Sequence, residues 1–356
     1  MNSPTLVALL AVCTMLPAMA QTAPSKSITV DASGAAHVRE ATIELSNVLS
    51  PASQEIIRRS RPTEGPGAAK PPETTDMAEL RRAMNATLAP NVQHMRDLYP
   101  VDVEEKTIDG ISVAIVTPKG GVPEANRNRI MINAPGGGFR TGIRANGLLI
   151  SIPVAAVGRF KVISLLYRQG PEYRFPAATE DFTKVYQAVL KDYKPANIGL
   201  VGCSAGGALV AQSVASFQKA GLPAPGVIGV YCAGLGARFM EGDSAVFAGL
   251  ATGATIAMPP GPSYLDNVSV DDPAVTPAND LAVLAKFPPT IFASGTRDFA
   301  MSSAAYGHRR LLKAGVASEL LIYDGLGHGF MTNPDYPEAR DLYEITARFY
   351  DRHLGR

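Results

Sequence analysis

The chain has 356 residues, of which 33 are basic, 32 acidic and 46% hydrophobic. A charge balance this close to zero argues against nucleic acid as a partner, because phosphate backbones are held by strongly basic surfaces. The length suits one large domain or two smaller ones, with ample apolar material for a core.

Residues 1–20 read as an export signal. Leu6 to Leu16 is an apolar run, and Ala18-Met19-Ala20 forms an A-x-A cleavage pattern before Gln21. The run is short for a bilayer span and no other apolar run is long enough for one, so the mature chain is expected without a membrane span, in the periplasm or secreted. Residues 21–99 read as an N-terminal arm followed by cap helices. Ser50-Pro51 is a helix start, and residues 61–72, rich in Pro, Gly and Ala, are a linker or mobile loop. A second helix begins at Thr75-Asp76, with Met77, Leu80, Met84 and Leu88 at helical spacing.

From residue 100 to 356 the texture changes to that of one large domain. Runs at 101–106 and 111–117 flank Asp109-Gly110, a hairpin signal. Short apolar runs follow at 129–133, 161–166, 198–201, 227–231, 290–293 and 319–323, mostly separated by helical stretches. An antiparallel start followed by alternating strands and helices predicts an α/β three-layer sandwich with a mostly parallel central sheet. Between Cys232 and Pro288 the alternation is interrupted by a segment too long for a plain connection, so it is expected to carry local structure or substrate contacts.

Asn197 to Gly207 carries the strongest motif. An apolar strand runs into Gly202-Cys203-Ser204-Ala205-Gly206 and a small-residue helix follows at once. This is the setting of a nucleophile elbow, in which the serine sits on a strained strand-to-helix turn. Glycine is needed on both sides because a Cβ would clash with the turn. A serine hydroxyl needs a base, and the base needs an orienting group. Of five histidines, His37 and His94 lie in the N-terminal region, His308 within a helix and His353 in the last helix. His328 alone occupies a glycine-rich loop directly after a strand, where open α/β sheets place their chemistry. Asp298 follows the strand at 290–293, and the order Ser204, Asp298, His328 is the one expected of an α/β-hydrolase. Asp324 is the alternative acid. Asn133 to Phe139, with glycines at 136–138, could bring backbone N–H groups to a developing oxyanion.

Signal removal would leave two cysteines, Cys203 and Cys232. An oxidising compartment permits a disulfide between them, but two free buried thiols are the preferred reading.

These residues resemble the hormone-sensitive-lipase-like carboxylesterases of the α/β-hydrolase superfamily (bacterial family IV). Pro135-Gly136-Gly137-Gly138-Phe139 is similar to that family's His-Gly-Gly-Gly loop. Tyr167 to Glu172, Phe175-Pro176-Ala177-Ala178 and Asp181 resemble its Tyr-Arg-Leu-Ala-Pro-Glu block, and Gly202 to Gly207 its Gly-Asp-Ser-Ala-Gly-Gly. Asp272-Pro273, Asp298 and His328-Gly329-Phe330 match in order, and the likeness covers roughly residues 75–353. The resemblance implies Ser204, Asp298 and His328 as the triad, and an oxyanion hole from the N–H groups of Gly137, Gly138 and Ala205. It also implies a lid from the N-terminal helices and the 235–285 segment, with no metal and no organic cofactor. Pro135 in place of histidine and Cys203 in place of an acid depart from the pattern. Arg168 and Glu172 are expected to be structural ion-pair partners.

Phe139, Phe239, Phe247 and Phe330 are the aromatic candidates for the substrate pocket. The expected activity is acyl-serine hydrolysis of small to medium esters, with lactone opening and a non-catalytic binding protein as alternatives. A serine peptidase would bring a propeller domain, for which there is no repeat. Expected partners are a small ester or lactone and, at most, a second copy of the chain as a homodimer.

Overall fold

The short apolar runs pair into one large sheet, and the helices between them close its two faces. The computed structural model describes residues 28–38, 42–60, 76–238, 240–252 and 261–355. The chain divides into two compact units, 1–44 and 45–356. In the smaller unit β1 (Ile28–Val30) and β2 (Ala36–Val38) form an antiparallel hairpin. Its turn is held by Asp31, whose carboxylate accepts hydrogen bonds from the Ser33 and Ala35 N–H groups. The export signal at 1–20 and the linker at 61–72 lie outside the described residues.

The larger unit begins with α1 (Pro51–Arg59), α2 (Met77–Leu98), β3 (Val101–Ile108), β4 (Ile111–Pro118), β5 (Ile130–Ala134) and α3 (Ile143–Gly158). It continues with β6 (Lys161–Leu165), α4 (Ala177–Val189), β7 (Ile198–Cys203), α5 (Ala205–Lys219) and β8 (Val227–Tyr231). After an insertion containing α6 (Asp243–Thr252) and α7 (Leu281–Leu284) come β9 (Thr290–Arg297), α8 (Met301–Lys313), β10 (Ser318–Gly327) and α9 (Pro337–His353). The strand order is β10-β9-β8-β7-β5-β6-β4-β3, with the β3/β4 and β4/β6 pairs antiparallel and the others parallel. Asp109 and Gly110 both take positive φ, +47° and +79°, at the hairpin turn between β3 and β4.

The α4, α5 and α8 helices cover one face around Phe182, Tyr186, Phe217 and Leu311, with Tyr186 stacked on Phe217 at 4.1 Å. The α3 and α9 helices cover the other, around Leu149, Ile152, Phe349 and Tyr350. This is the expected three-layer α/β sandwich. The α1 and α2 helices belong to the larger unit. Ser50 and Ser53 hydrogen-bond Glu338 of α9, and Met95 of α2 is fully buried. In the insertion between β8 and β9, the Val275 carbonyl accepts from Gln212 of α5 at 2.9 Å, which ties the insertion to that helix. Among the described residues no helix is long and apolar enough to cross a membrane.

Strand order places the chemistry. The chain winds from β5 to β6 on one side and then to β7 on the other, so the loops after β5 and β7 leave the sheet side by side, with Ala134 opposite Gly202. A crevice at such a switch point is where open α/β sheets bind ligands.

Candidate active site

The elbow forms as its glycines require. Ser204 takes φ +59°, ψ −127° between β7 and α5, a conformation that costs a residue with a Cβ on the order of 1–3 kcal/mol. A Cβ on Gly202 would stand 2.3 Å from the Gly206 carbonyl oxygen, and one on Gly206 would stand 1.9 Å from the Ala134 oxygen. The Ser204 N–H donates to the Tyr231 carbonyl of β8 at 2.8 Å, which fixes the turn against the next strand.

The base and acid meet the serine. His328 Nε2 lies 2.8 Å from Ser204 Oγ, and His328 Nδ1 lies 2.7 Å from Asp298 Oδ1. Asp298 is fully buried. Its Oδ1 also accepts the Ala300 N–H at 2.9 Å, and its Oδ2 accepts the Ser294 hydroxyl at 2.7 Å. Burial pushes this carboxyl up, but the His328 contact and the two further donors together hold it below its ordinary value. Asp298 is therefore an anion at neutral pH, placed to hold one imidazole orientation and to stabilise the imidazolium. Phe299 stacks on the His328 ring at 4.1 Å. The alternative acid, Asp324, is engaged elsewhere, with Ser46 and with Thr296 at 3.0 Å. So are the other histidines: His37 with Asp31, His94 with Asp335, His308 with Ser318, and His353 against Phe349.

The glycine loop abuts the serine. A Cβ on Gly136 would lie 2.7 Å from the Cys203 carbonyl oxygen and 3.3 Å from Ser204 Cβ. Gly137, at φ +118°, leaves only 1.8 Å between an added Cβ and the Thr141 oxygen, and Gly138 turns at φ +62°. Ala205 opens α5 directly after the serine. The loop is held without the family's histidine. The Tyr167 hydroxyl donates to the Pro135 carbonyl at 2.7 Å, the Gly170 N–H to the Phe139 carbonyl at 2.8 Å, and Arg81 of α2 to the carbonyls of Arg140 and Gly170. The sequence carried no signal for these anchors, because their partners are 31 (170 − 139) to 89 residues away.

The aromatic candidates separate. Phe139 is 1% exposed and stacked on Tyr264 at 4.7 Å, and Phe330 is 5% exposed against Tyr323, so both rings are packing groups in the core. Phe247 is 37% exposed on α6. Phe239 lies outside the described residues. Arg168 pairs with Asp181 and Glu180, and Glu172 with Arg81, so each braces structure and neither pairs with the other. Cys203 and Cys232 are both free and buried. Cys232, Asp298 and His328 bring three donor atoms within 4.8 Å of one another. Both imidazole nitrogens are already committed to Ser204 and Asp298, and burial pushes the Cys232 thiol well up, so this donor set suits proton transfer and not a metal ion.

A family model described as "alpha/beta hydrolase fold" matches residues 131–332, more than half of the chain. The chain belongs to the alpha/beta hydrolase family. It is similar to the versiconal hemiacetal acetate esterase of Dothistroma septosporum, 27% identical over 74% of this chain and 84% of that protein. An esterase of Acinetobacter venetianus is 26% identical over 76% of this chain and 90% of its own length. The crystal structure of esterase E25 superposes with a TM-score of 0.74 at 25% identity, covering 90% of this chain and 99% of that one. In fold the hydrolase is also similar to an esterase of the bacterial hormone-sensitive lipase family, with a TM-score of 0.70 at 22% identity over 86% of this chain and 99% of the other. With the Ser204–His328–Asp298 relay in place, this alpha/beta hydrolase is a serine hydrolase that cleaves esters.

Proposed function

We propose that this hydrolase takes esters of small to medium acyl groups through an acyl-serine intermediate. The observation that carries the reading is the continuous relay from Asp298 to His328 to Ser204, at 2.7 and 2.8 Å. His328 Nε2 takes the Ser204 proton as Oγ attacks the ester carbonyl, and Asp298 stabilises the imidazolium so formed. The carbonyl oxygen turns toward the N–H groups of Gly137, Gly138 and Ala205, each such donor contributing about 3–4 kcal/mol to the transition state. Collapse of the intermediate passes the proton to the departing alcohol. Water then attacks the acyl carbon as His328 takes its proton, and collapse breaks the bond to Ser204 Oγ, which regains that proton from His328 as the acid leaves.

The acyl preference is supported by two things. The relatives include an acetate esterase by name and an acetyl-hydrolase of Streptomyces hygroscopicus, 25% identical over 69% of this chain. The cap helix α6 carries exposed apolar side chains at Val246, Phe247 and Leu250, and its first turn is tied to the Phe299 carbonyl by Ser244. We further propose export, supported by the Ala18-Met19-Ala20 pattern. N-terminal sequencing of the protein from a periplasmic or culture fraction tests this, and a mature start at Gln21 is the expected result.

The reaction is tested with a p-nitrophenyl ester series from acetate to laurate and a parallel set of lactones. Turnover is expected to peak at or below the hexanoate and to vanish in Ser204→Ala. Equal turnover in a clean Ser204→Ala preparation sinks the mechanism. A peak at laurate sinks the acyl preference alone.

A further inference from the structure

The residue just past β8 is held in a backbone conformation that its type disfavours. Cys232 sits at φ +48°, in the left-handed region that glycine occupies without strain. A side chain kept there under strain is worth accounting for, and its surroundings do so. Cys232 is fully buried, and its Sγ accepts the N–H of Gly329 at 3.2 Å. Gly329 follows His328 directly and turns at φ +72°. The Cys232 N–H donates to the Ala293 carbonyl of β9 at 2.7 Å, on the strand that leads to Asp298. One residue earlier, the Tyr231 carbonyl receives the Ser204 N–H. The elbow of Ser204, the loop of His328 and the strand that leads to Asp298 therefore meet at Tyr231-Cys232.

We infer that Cys232 is a positioning residue for the triad, its sulfur fixing the His328-Gly329 turn so that the imidazole stays between Asp298 and Ser204. Its Sγ lies within 4.8 Å of a donor atom of both Asp298 and His328, so it stands directly beside the acid–base pair. Burial and the nearby Asp298 charge push the thiol well above its ordinary value, which keeps it a neutral group that adds no competing anion. Cys203 and Cys232 share one contact, their sulfurs lying 3.8 and 3.9 Å from Met331 Sδ, but it is Cys232 that accepts the Gly329 N–H.

This role rests on the ester-cleaving reading of the same site, and the experiment separates the two. The full chain is compared with Cys232→Ala, Cys232→Gly and Cys232→Ser on p-nitrophenyl butyrate, with Tm and the rate of fluorophosphonate labelling measured alongside. Cys232→Ala removes the acceptor, and kcat is expected to fall about 10- to 100-fold with KM within twofold, the scale of a misplaced catalytic group. Cys232→Gly suits φ +48° and so spares Tm, yet kcat and labelling rate fall as far. Cys232→Ser restores an acceptor and recovers kcat to within about fivefold of the parent. Wild-type kcat in Cys232→Gly overturns the inference, as does a loss in Cys232→Ser equal to that in Cys232→Gly. The Gly and Ser variants decide the matter if Cys232→Ala does not fold. A parent chain that turns over no ester overturns the ester-cleaving reading and this role together, whereas an active parent with indifferent variants overturns this role alone.

Discussion

The strand-end loops and the cap insertion lie next to each other and are built on opposite terms. At the strand ends every polar atom of the relay has a partner: Asp298 accepts from Ser294, Ala300 and His328, and the elbow is pinned through Tyr231. In the cap, α6 leaves Val246 67% and Leu250 58% exposed. A cavity of about 390 Å³ beside Arg238 and Thr276 is bordered by polar atoms, Arg238 Nε and Thr276 Oγ1, that find no protein partner. Chemistry needs groups fixed to fractions of an ångström, and parallel strand ends supply that. Selection among acyl groups needs a surface that can be altered without touching the relay. Substitutions in the two regions should therefore differ in size and in the kinetic constant they move.

The largest effect belongs to the nucleophile. Ser204→Ala should lower kcat by about 10⁴-fold or more, with the fold intact by circular dichroism. Asp298→Asn comes next, at about 10³- to 10⁴-fold in kcat with little change in KM, because the amide no longer enforces the working imidazole orientation. The same residue sets a pH dependence. Its folded-state carboxyl is depressed, so its contribution to stability is complete above the unfolded value of 3.8 and is lost as pH falls below it. Denaturant midpoints measured from pH 6 to pH 2.5 should show the gap between parent and Asp298→Asn narrowing only below about pH 4. A gap that narrows already between pH 6 and pH 5 would point to another group.

Smaller effects are expected away from the relay. Arg81 reaches from α2 to the Arg140 and Gly170 carbonyls and to Glu172, so Arg81→Ala should loosen the glycine loop. A drop in kcat of about 5- to 20-fold is expected, with a smaller change in KM, as donor alignment degrades. The smallest change belongs to Phe247→Ala on α6. Stability should move by no more than about 0.5 kcal/mol, while KM across the acyl series shifts a few-fold at constant kcat. If Phe247→Ala lowered kcat as strongly as Arg81→Ala, the contrast between fixed chemistry and adjustable cap would fail.

The same contrast decides what the sequence made legible. The strand centres were readable because their apolar runs are short and bounded, and the 227–231 prediction coincides with β8. Strand ends were not. β9 runs on through Ser294, Gly295, Thr296 and Arg297, where the hydrophobic signal stops but parallel pairing to β10 continues. The triad was readable because loop position and chain order single out Ser204, Asp298 and His328. Which phenylalanines face a pocket was not readable, since a loop aromatic carries no period to show its buried side, and Phe139 and Phe330 proved to be core. The place of Cys232 depends on β8 lying between β7 and β9, which one-dimensional spacing does not contain.

The contact between Gly206 and the Ala134 carbonyl has a consequence for how the enzyme dies. With room for no more than a hydrogen on Gly206, the start of α5 and the end of β5 are locked surface to surface. The nucleophile and the loop beside it are therefore expected to melt together. Heat should remove them in a single event, so a partly inactivated sample is a mixture of intact and dead molecules, and the activity that survives keeps its original KM.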